Sequence, residues 1–329
     1  MDRFIITGGN GFIGRHLVRK LLSERPSSIA IIANTANVDD NYITDKTLRG
    51  AVPITFYTAD VRDEKAISEI FLCEKADTCV HLAAKINVAD SIKNPDETMD
   101  INVKGTLNVL DACHTTTVEN FVFASSAAVY GDASQLPISE DHALRPLSPY
   151  GTSKMLAEQH VCTYNKLKKI QKTTSLRIFN VYGDGQSSDS DVISRFAKRL
   201  SEGLPPIIHG DGTFTRDFIS VEDVTEAMVL SIKAMENNDT EKYNYPSIFN
   251  IGSGRPTSVN ELAQKMISIS GLELNPVYDK MNEYGGVILQ SYADITKAKD
   301  ALQFVAKKSL ETGLREIIMQ RMNASTSVS

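Results

Sequence analysis

The sequence lacks the cysteine and histidine spacings that build metal sites. Its four cysteines form no CxxC pair, and its six histidines have no HxxxH or HExxH spacing. No metal is therefore predicted. A chain of 329 residues can also bury a substantial core without disulfide bonds. We expect free, buried thiols in a reducing compartment, at Cys73, Cys79, Cys113 and Cys162.

Basic runs and long apolar stretches are missing as well. The net charge is −6, without a cluster of basic residues, so no nucleic-acid surface is predicted. No apolar stretch is long enough to span a bilayer, and the first residues form a strand pattern and not a signal peptide. We expect a cytoplasmic protein that binds neither nucleic acid nor membranes.

What the sequence does contain is a glycine-rich turn near its N-terminus. Residues 7–14 read TGGNGFIG, after the apolar run 4–6 and before a segment with helical spacing. In a turn that binds a dinucleotide, Gly8 permits the sharp bend, Gly11 lets the backbone approach the pyrophosphate, and Gly14 lets the helix pack on the strand. The N–H groups at the helix N-terminus then bind the phosphates. Because strand, turn and helix occur in the required order, we predict a dinucleotide site.

A serine, a tyrosine and a lysine indicate proton-transfer chemistry. Tyr150 and Lys154 stand four residues apart in SPYGTSK, on one face of a predicted helix, and Ser126 lies upstream in FVFASSAAVYG. A free tyrosine has a pKa near 10, and lowering it to about 7 requires roughly 4 kcal/mol. The ammonium of Lys154 could supply part of this by favouring the phenolate, and an oxidised nicotinamide could supply more. We therefore predict a catalytic tyrosine beside a nicotinamide.

Strand and helix patterns alternate through the first half of the sequence. This alternation predicts an α/β fold with a doubly wound parallel sheet, whose ligands bind at the carboxyl ends of the strands. We assign residues 1–180 to a dinucleotide-binding domain, with return segments near 217–252. Residues 181–322 have fewer strands and more loops, and they are assigned to a smaller, interleaved substrate-binding domain. Residues 323–329 are expected to form a disordered tail.

Further motifs follow one another along nearly the whole chain. Between about residues 3 and 318 the sequence contains TGGNGFIG, ADVRD, HLAA, SSAAVYGD, SPYGTSK, RIFNVYG and HGDGTFTRDFISVEDV. In these motifs it resembles the extended short-chain dehydrogenase/reductase superfamily, and within it the UDP-glucose 4-epimerase-like members of the NAD-dependent epimerase/dehydratase family. The resemblance implies a Rossmann sheet, bound NAD, a UDP-sugar or another nucleotide sugar as substrate, and a homodimer.

The resemblance also implies a role for each residue of the proton-transfer site. Ser126 would hydrogen-bond the 4-hydroxyl of the sugar, and Tyr150 would be the acid and base. Lys154 would hold the nicotinamide ribose and lower the pKa of the tyrosine. Asp60 would bind the adenine, and Asn102 would support the helix that carries the tyrosine. The cofactor-binding residues implied in this way are Gly8, Gly11, Phe12, Ile13, Gly14, Asn34, Asp60, Val61, Leu82, Ala83, Ala84, Asn102, Ala124, Ser125, Tyr150 and Lys154.

A second set of residues is implied for the nucleotide sugar. Asn180 would touch the phosphates, and Arg216 would clamp them with its planar donors, unless it forms a surface ion pair with Asp217. His209 would lie against the base, or would be an ordinary loop histidine. Ser291 stands where relatives restricted to glucose and galactose have a bulky residue, which would leave room for an N-acetyl group. The implied substrate-binding residues are Lys85, Ser126, Asn180, Val192, His209, Arg216 and Ser291.

The two residues before VYG narrow the class of reaction that the resemblance implies. Dehydratases and decarboxylases of the superfamily carry an acidic residue before the valine of VYG, where this sequence has Ala127 and Ala128. The resemblance therefore implies a redox-neutral epimerisation at C4, in which the hydroxyl is oxidised to a transient ketone and then reduced from the other face. An NAD(P)-dependent reductase or dehydrogenase of a sugar nucleotide would share the three site residues, and a non-catalytic dinucleotide sensor would share the fold.

Two departures from the relatives concern the nucleotides. The second strand ends in Ala33 and Asn34, where an aspartate usually binds the adenosine ribose. Because no carboxylate there would repel a 2′-phosphate, NADP stays open. No arginine lies close enough in sequence to favour that phosphate, so we expect NAD. Residues 284–287 read YGGV, where relatives supply an arginine and an aspartate to the substrate. The nucleotide clamp is therefore expected to differ in part.

Overall fold

The computed structural model describes residues 3–35, 52–116, 118–187, 191–237, 244–280 and 288–326. Its strands are β1 (Arg3–Thr7), β2 (Ser28–Ala33), β3 (Ile54–Thr58), β4 (Thr78–His81), β5 (Asn120–Ser126), β6 (Lys172–Ile178), β7 (Asn180–Tyr182), β8 (Ile207–His209), β9 (Thr215–Ser220), β10 (Ser247–Ile251), β11 (Pro256–Ser258) and β12 (Val277–Asp279). Its helices are α1 (Phe12–Glu24), α2 (Glu64–Glu74), α3 (Val88–Lys93), α4 (Pro95–Met99), α5 (Gly105–His114), α6 (Pro149–Lys166), α7 (Val192–Ser201), α8 (Val221–Glu236), α9 (Val259–Ser270), α10 (Thr296–Leu302) and α11 (Leu310–Thr326). A π-helical turn, Asp100–Lys104, joins α4 to α5.

A seven-stranded parallel sheet forms the centre of the fold. Its strands follow the spatial order β10, β6, β5, β4, β1, β2, β3, and every pairing between them is parallel. The order 3-2-1-4-5-6 within this sheet is that of sheets that bind dinucleotides. The α/β class and the doubly wound sheet predicted from the sequence are thus confirmed.

Helices cover both faces of this sheet, which explains why the residues of its central strands are almost all buried. Neighbouring residues of β1 show the division. Ile6 joins a core formed with α1 and α8, whereas Ile5 joins a second core formed with α2, α5 and α6. Both side chains are completely buried. With the two faces covered, a ligand can reach the sheet only at the ends of its strands.

A third core holds together much of the second half of the chain. Helices α7, α9 and α11 contribute Phe196, Leu262 and Leu314 to it, and β9 contributes Phe218. A three-stranded sheet in the order β11, β9, β7 is separate from the main sheet, as is the pair of β8 and β12. Between these elements, β10 returns to the main sheet by pairing with β6. The two-domain division and its boundaries stay predictions.

The C-terminal helix corrects one expectation. Helix α11 continues to Thr326, so the predicted disordered tail is wrong for residues 323–326. The buried side chains of Leu314 and Ile318 anchor the helix on the third core, and its last turn extends from that anchored part. Residues 327–329 lie outside the described residues.

The cysteines correct another expectation. Cys79 and Cys113 are buried and free, as expected, and Cys162 is partly buried, but Cys73 is exposed. The buried stripe of α2 runs through residues such as Ile67 and Phe71 and leaves Cys73 outside it.

In the described ranges, no helix has the length and apolar character needed to cross a membrane. The same ranges contain no group of three or more histidine, cysteine or acidic side chains that could hold a metal ion.

Asp217 joins β9 to two other segments. Its buried carboxylate accepts hydrogen bonds from the backbone N–H of Ser253 at 2.7 Å and of Gly254 at 2.9 Å, just after β10. It also accepts from the N–H of Ala293 at 3.1 Å and from the hydroxyl of Ser253 at 2.5 Å. Burial raises the pKa of this carboxyl, and the hydrogen bonds act against the rise. One side chain thus ties the small sheet to the end of the main sheet.

Replacing Asp217 with alanine would leave the buried N–H of Ala293 and the partly buried N–H groups of Ser253 and Gly254 unpaired. Each such group costs about 1–3 kcal/mol, so we expect Asp217→Ala to lower the free energy of unfolding by about 3 kcal/mol or more. Urea unfolding followed by circular dichroism measures the change. Asp211→Ala is the control, because Asp211 is exposed and its carboxylate accepts from Thr213 in its own turn. This variant should unfold close to wild type. Similar midpoints for both variants would contradict the prediction.

Candidate active site

A cavity of about 640 Å³ lies at the carboxyl ends of the central strands. This is where a doubly wound sheet binds its ligands. Of the predicted cofactor residues, those that line it are Gly8, Gly11, Phe12, Ile13, Gly14, Asn34, Asp60, Val61, Leu82, Ala83, Ala84, Ala124, Ser125, Tyr150 and Lys154. Of the predicted substrate residues, those that line it are Lys85 and Ser126.

The glycine turn brings backbone close to one end of the cavity. Gly8 has a φ of +70°, a conformation that favours glycine, and its N–H donates to the carbonyl of Ile32 at 2.7 Å. A Cβ on Gly14 would overlap the backbone of the turn itself. Gly11 is the N-cap of α1 and provides no side-chain hydrogen bond, so the N–H groups of the first turn have no side-chain acceptor at the cap. These residues fit a dinucleotide, whose pyrophosphate would bind those N–H groups.

Asp60 lines the cavity together with Asn34 and Val61. Its carboxylate accepts hydrogen bonds from Arg62, from Nη2 at 2.6 Å and from the backbone N at 2.9 Å. The side-chain hydrogen bonds from Arg62 are the main cause of the lowered pKa of Asp60. Arg62 Nε also donates to both carboxylate oxygens, at 3.0 Å and 3.1 Å, so Arg62 fixes the orientation of Asp60 at the cavity wall.

The three predicted catalytic residues lie on the same cavity wall. Ser126 is the last residue of β5. Helix α6 begins at Pro149, and the side chain of Ser148 caps it by accepting from the N–H of Gly151 at 3.1 Å. Because the helix starts just before Tyr150, this residue and Lys154 lie one turn apart on one face.

The pKa of Tyr150 differs from the expectation that Lys154 lowers it. Burial raises the pKa of Tyr150, and the hydrogen bond with Ser126 acts in the opposite direction. Burial lowers the pKa of Lys154 to about 7. The Nζ of Lys154 donates to the carbonyl of Ala124 at 2.8 Å. The expected lowering of the tyrosine pKa by the lysine is therefore not produced by the protein's own groups, because burial outweighs them.

Asn102 does not line the cavity but supports it from behind. Its Nδ2 donates to Ser153 Oγ at 2.9 Å and to the carbonyl of Lys85 at 2.9 Å, and its Oδ1 accepts from the N–H of Lys85 at 2.7 Å. Asn102 thus ties the segment after β4 to the helix of Tyr150, as its predicted supporting role requires. The Nζ of Lys85 is 2.8 Å from Asp90 and also pairs with Glu97.

Asn180, Arg216 and Ser291 lie outside the cavity lining but near one another. Asn180 on β7 pairs with Phe218 on β9, and Arg216 is two residues before it, so both face the same side of the small sheet. The N–H of Ser291 donates to the carbonyl of Thr215 at 3.2 Å. Burial lowers the pKa of Arg216, and the charge of Asp132 acts against this. The Nη1 of Arg216 donates to the Thr215 carbonyl at 2.8 Å.

The alternative reading of Arg216 as half of an ion pair with Asp217 is wrong. Successive residues of a strand point to opposite faces. Asp217 accordingly faces away from Arg216 and toward Ser253 and Ala293.

His209 and Val192 are not brought to the cavity. His209 is partly exposed on β8, with Nδ1 4.0 Å from a carboxylate oxygen of Asp279. Val192 is the first residue of α7 and packs against the third core. Neither lines the cavity, so their predicted contacts with the nucleotide stay predictions. The stretch 284–287, where the nucleotide clamp was expected to differ, lies outside the described residues.

Some lining residues were not predicted. Ala59 follows β3, and Phe179 and Val181 follow β6, so the carboxyl-end rule would have found them. Glu97 and Gln186 also line the cavity. Glu97 lies in a helix and Gln186 in a loop, where no strand end marks them.

Comparison with known proteins agrees with this geometry. The chain matches the model of the NAD dependent epimerase/dehydratase family over residues 4–252. It is 37% identical over 317 residues to a putative UDP-glucose 4-epimerase of Methanocaldococcus jannaschii, covering 95% of this chain and 96% of that protein.

Two solved structures are similar over nearly their whole length. One is the UDP-glucose 4-epimerase of Thermotoga maritima with UDP-glucose, with a TM-score of 0.87, 30% identity and 99% of both chains covered. The other is the UDP-glucose 4-epimerase of Thermus thermophilus in complex with NAD, with a TM-score of 0.84, 29% identity, and 98% of this chain and 99% of that chain covered. The glycine turn, the strand order and the tyrosine-bearing helix therefore have one common explanation: the protein belongs to the NAD-dependent epimerase/dehydratase family.

Proposed function

We propose that the protein catalyses the NAD-dependent epimerisation at C4 of a nucleotide-activated hexose of the UDP-glucose and UDP-galactose type. The observation that carries the proposal is that Ser126, Tyr150 and Lys154 line the cavity that begins at the dinucleotide turn. Residues 127 and 128, beside Ser126, are alanines. The wall therefore offers a phenol for proton transfer but no carboxylate there for elimination of water or loss of carbon dioxide.

The chain's own groups account for binding and proton transfer. When bound, NAD would supply the hydride acceptor and donor for C4 and the positive charge of an oxidised ring. Tyr150 Oη takes the proton of the 4-hydroxyl and gives it back to the sugar oxygen. Ser126 hydrogen-bonds that oxygen and lowers the pKa of the phenol. Lys154 would hold the ribose of the cofactor. Because burial raises the pKa of Tyr150, the phenolate depends on added positive charge.

The remaining contacts would hold the nucleotide while the sugar turns over. Asn180 and Arg216 face the same side of the small sheet, where their donors suit two phosphate groups. Ser291 is small, buried and adjacent in space to Thr215, which supports N-acetylhexosamines as further substrates. Binding energy from the nucleotide keeps the ketone in the site until reduction.

One observation favours a second candidate. Asn34 lines the cavity where a carboxylate would repel a 2′-phosphate. An NADP-linked reductase of a 4-keto sugar nucleotide is therefore the alternative, and it would use the same three residues. A non-catalytic dinucleotide sensor would need neither Tyr150 nor Lys154, and this chain keeps both at the cavity, which argues against a sensor.

We also propose a homodimer built from α5 and α6, working in the cytoplasm. Leu107 on α5 and Leu156 on α6 are partly exposed apolar side chains that a second copy would cover. The free thiols of Cys79 and Cys113 suit a reducing compartment.

Replacing Tyr150 with phenylalanine should stop turnover while leaving nucleotide binding nearly intact. The variant loses only the hydroxyl that transfers the proton, a loss of about 10²–10⁴-fold in rate. Steady-state rates with UDP-galactose and calorimetric binding of UDP measure the two effects. Tyr164→Phe is the control on the same helix, because its hydroxyl bonds Asp111 at 2.6 Å, away from the cavity. Wild-type rates for Tyr150→Phe would refute the assigned base.

The purified protein should interconvert UDP-glucose and UDP-galactose without net consumption of cofactor. A nucleotide-sugar panel that includes the N-acetyl forms, with the 4-epimers resolved by NMR, identifies the substrate. Absorbance at the reduced nicotinamide band measures any net oxidation. Stoichiometric use of NADPH would instead favour the reductase.

The proposed dimer predicts a molar mass near twice 36.2 kDa in solution. Light scattering coupled to size-exclusion chromatography measures it. Leu156→Lys should shift the mass toward the monomer, because it places a charge in the proposed contact, whereas Leu204→Lys, at an exposed site beyond α7, should not. A monomeric wild-type protein would rule the dimer out.

A further inference from the structure

Three consecutive residues at the end of β5 contact three residues of α6. The carbonyl of Ala124 accepts from Lys154 Nζ at 2.8 Å. The hydroxyl of Ser125 donates to Glu158 Oε2 at 2.6 Å. Ser126 lies beside the side chain of Tyr150 and lowers the pKa of its phenol. The three helix residues are spaced by four, so they form one stripe along α6.

The hydrogen bond between Ser125 and Glu158 is the most deeply buried contact of this stripe. Ser125 is 3% exposed and Glu158 is 2% exposed. Alternation along β5 turns Ser125 toward the same core as Phe121 and Phe123, which is the core that includes α6. Although Ser125 lines the cavity, its hydroxyl is therefore committed to the helix and not to a ligand.

Arg177 on β6 neutralises Glu158 and fixes its orientation. Its Nη2 is 2.6 Å from Glu158 Oε1, and its Nε is 3.1 Å from Oε2. A planar, bidentate pair of this kind sets geometry as well as charge. Arg177 Nη1 also donates to Tyr130 Oη at 2.9 Å and to the carbonyl of Glu140 at 2.8 Å. The carboxylate that receives the Ser125 hydroxyl is thus held from two strands, β5 and β6.

We propose that Ser125 and Glu158 are positioning residues that set the register of β5 against α6, and so hold Ser126 and Lys154 in place around Tyr150. This inference rests on the proposed function, because it assumes that Tyr150 transfers the proton. Neither residue needs to touch the substrate. The Ser125–Glu158 hydrogen bond prevents the end of β5 from sliding along the helix. Such a slide would lengthen the contacts that Ala124 and Ser126 make with the helix.

Loss of the Ser125–Glu158 hydrogen bond should change the position and the pKa of Tyr150, and should leave substrate affinity nearly unchanged. A displacement of about 1 Å at a reacting group can cost about 10²-fold in rate. The hydrogen bond with Ser126 lowers the pKa of Tyr150, so loosening it raises that pKa. The base must be ionised to accept a proton, so the acidic limb of the pH–rate profile moves to higher pH.

Ser125→Ala tests the inference without breaking the buried ion pair, which Glu158→Gln would do. In the NAD-loaded protein we expect kcat to fall about tenfold or more, KM to change less than about threefold, and the acidic limb to move to higher pH. The control is Ser231→Ala. Ser231 is also buried, and its hydroxyl donates to Ala227 at 2.8 Å within α8. Urea unfolding measures the loss of stability in both variants, which we expect to be similar.

A measurement without turnover separates this inference from the proposed function. Ultraviolet difference titration of the phenolate, with Tyr150→Phe subtracted, reports the pKa of Tyr150 directly, and Ser125→Ala should raise it. If Ser125→Ala matches Ser231→Ala in kcat, pH profile and titration, the positioning role is overturned. If Tyr150→Phe keeps wild-type activity, the proposed function fails instead, and the titration still decides whether Ser125 positions the phenol.

Discussion

The parallel direction of the seven main strands is the constraint on which the rest of this protein depends. With every strand pointing the same way, the residues after β1, β3, β4 and β5 all emerge at one edge. The two covered faces leave that edge as the place where polar groups can meet a ligand. Gly8, Asp60, Leu82 and Ser126 are far apart in sequence and line one cavity for this reason.

Much of this edge could be predicted from local pattern, because each contribution is local. The glycine turn, the apolar strand before it and the helix after it are contiguous, and so are Tyr150 and Lys154. Contacts that depend on distant segments were harder to foresee. The partners of Asp217 come from two loops about 36 and 76 residues away, and no local signal distinguishes it from Arg216. The prediction of a buried Cys73 fails because a helix has an exposed side as well as a buried one, and Cys73 lies on the exposed side.

The properties of ionisable groups were least accessible from sequence. Spacing places Lys154 beside Tyr150 but says nothing of burial, which dominates both side chains. Burial disfavours a phenolate and an ammonium alike, so the pKa of Tyr150 rises and that of Lys154 falls to about 7. The buried His81 shows the same effect, with burial lowering its pKa to about 3. The apolar surroundings make the site responsive to whatever charge a bound nucleotide adds.

Strand β9 limits which insertions and deletions this protein can tolerate during evolution. Arg216 and Asp217 are neighbours with opposite tasks: one faces the proposed phosphate site, and the other is locked into the interior by four hydrogen bonds. A slip of one residue in this strand would exchange the two faces, burying a cation and exposing the carboxylate. Insertions or deletions here would therefore damage recognition and folding together, so this short segment should tolerate drift in length far less than the loops on either side of it.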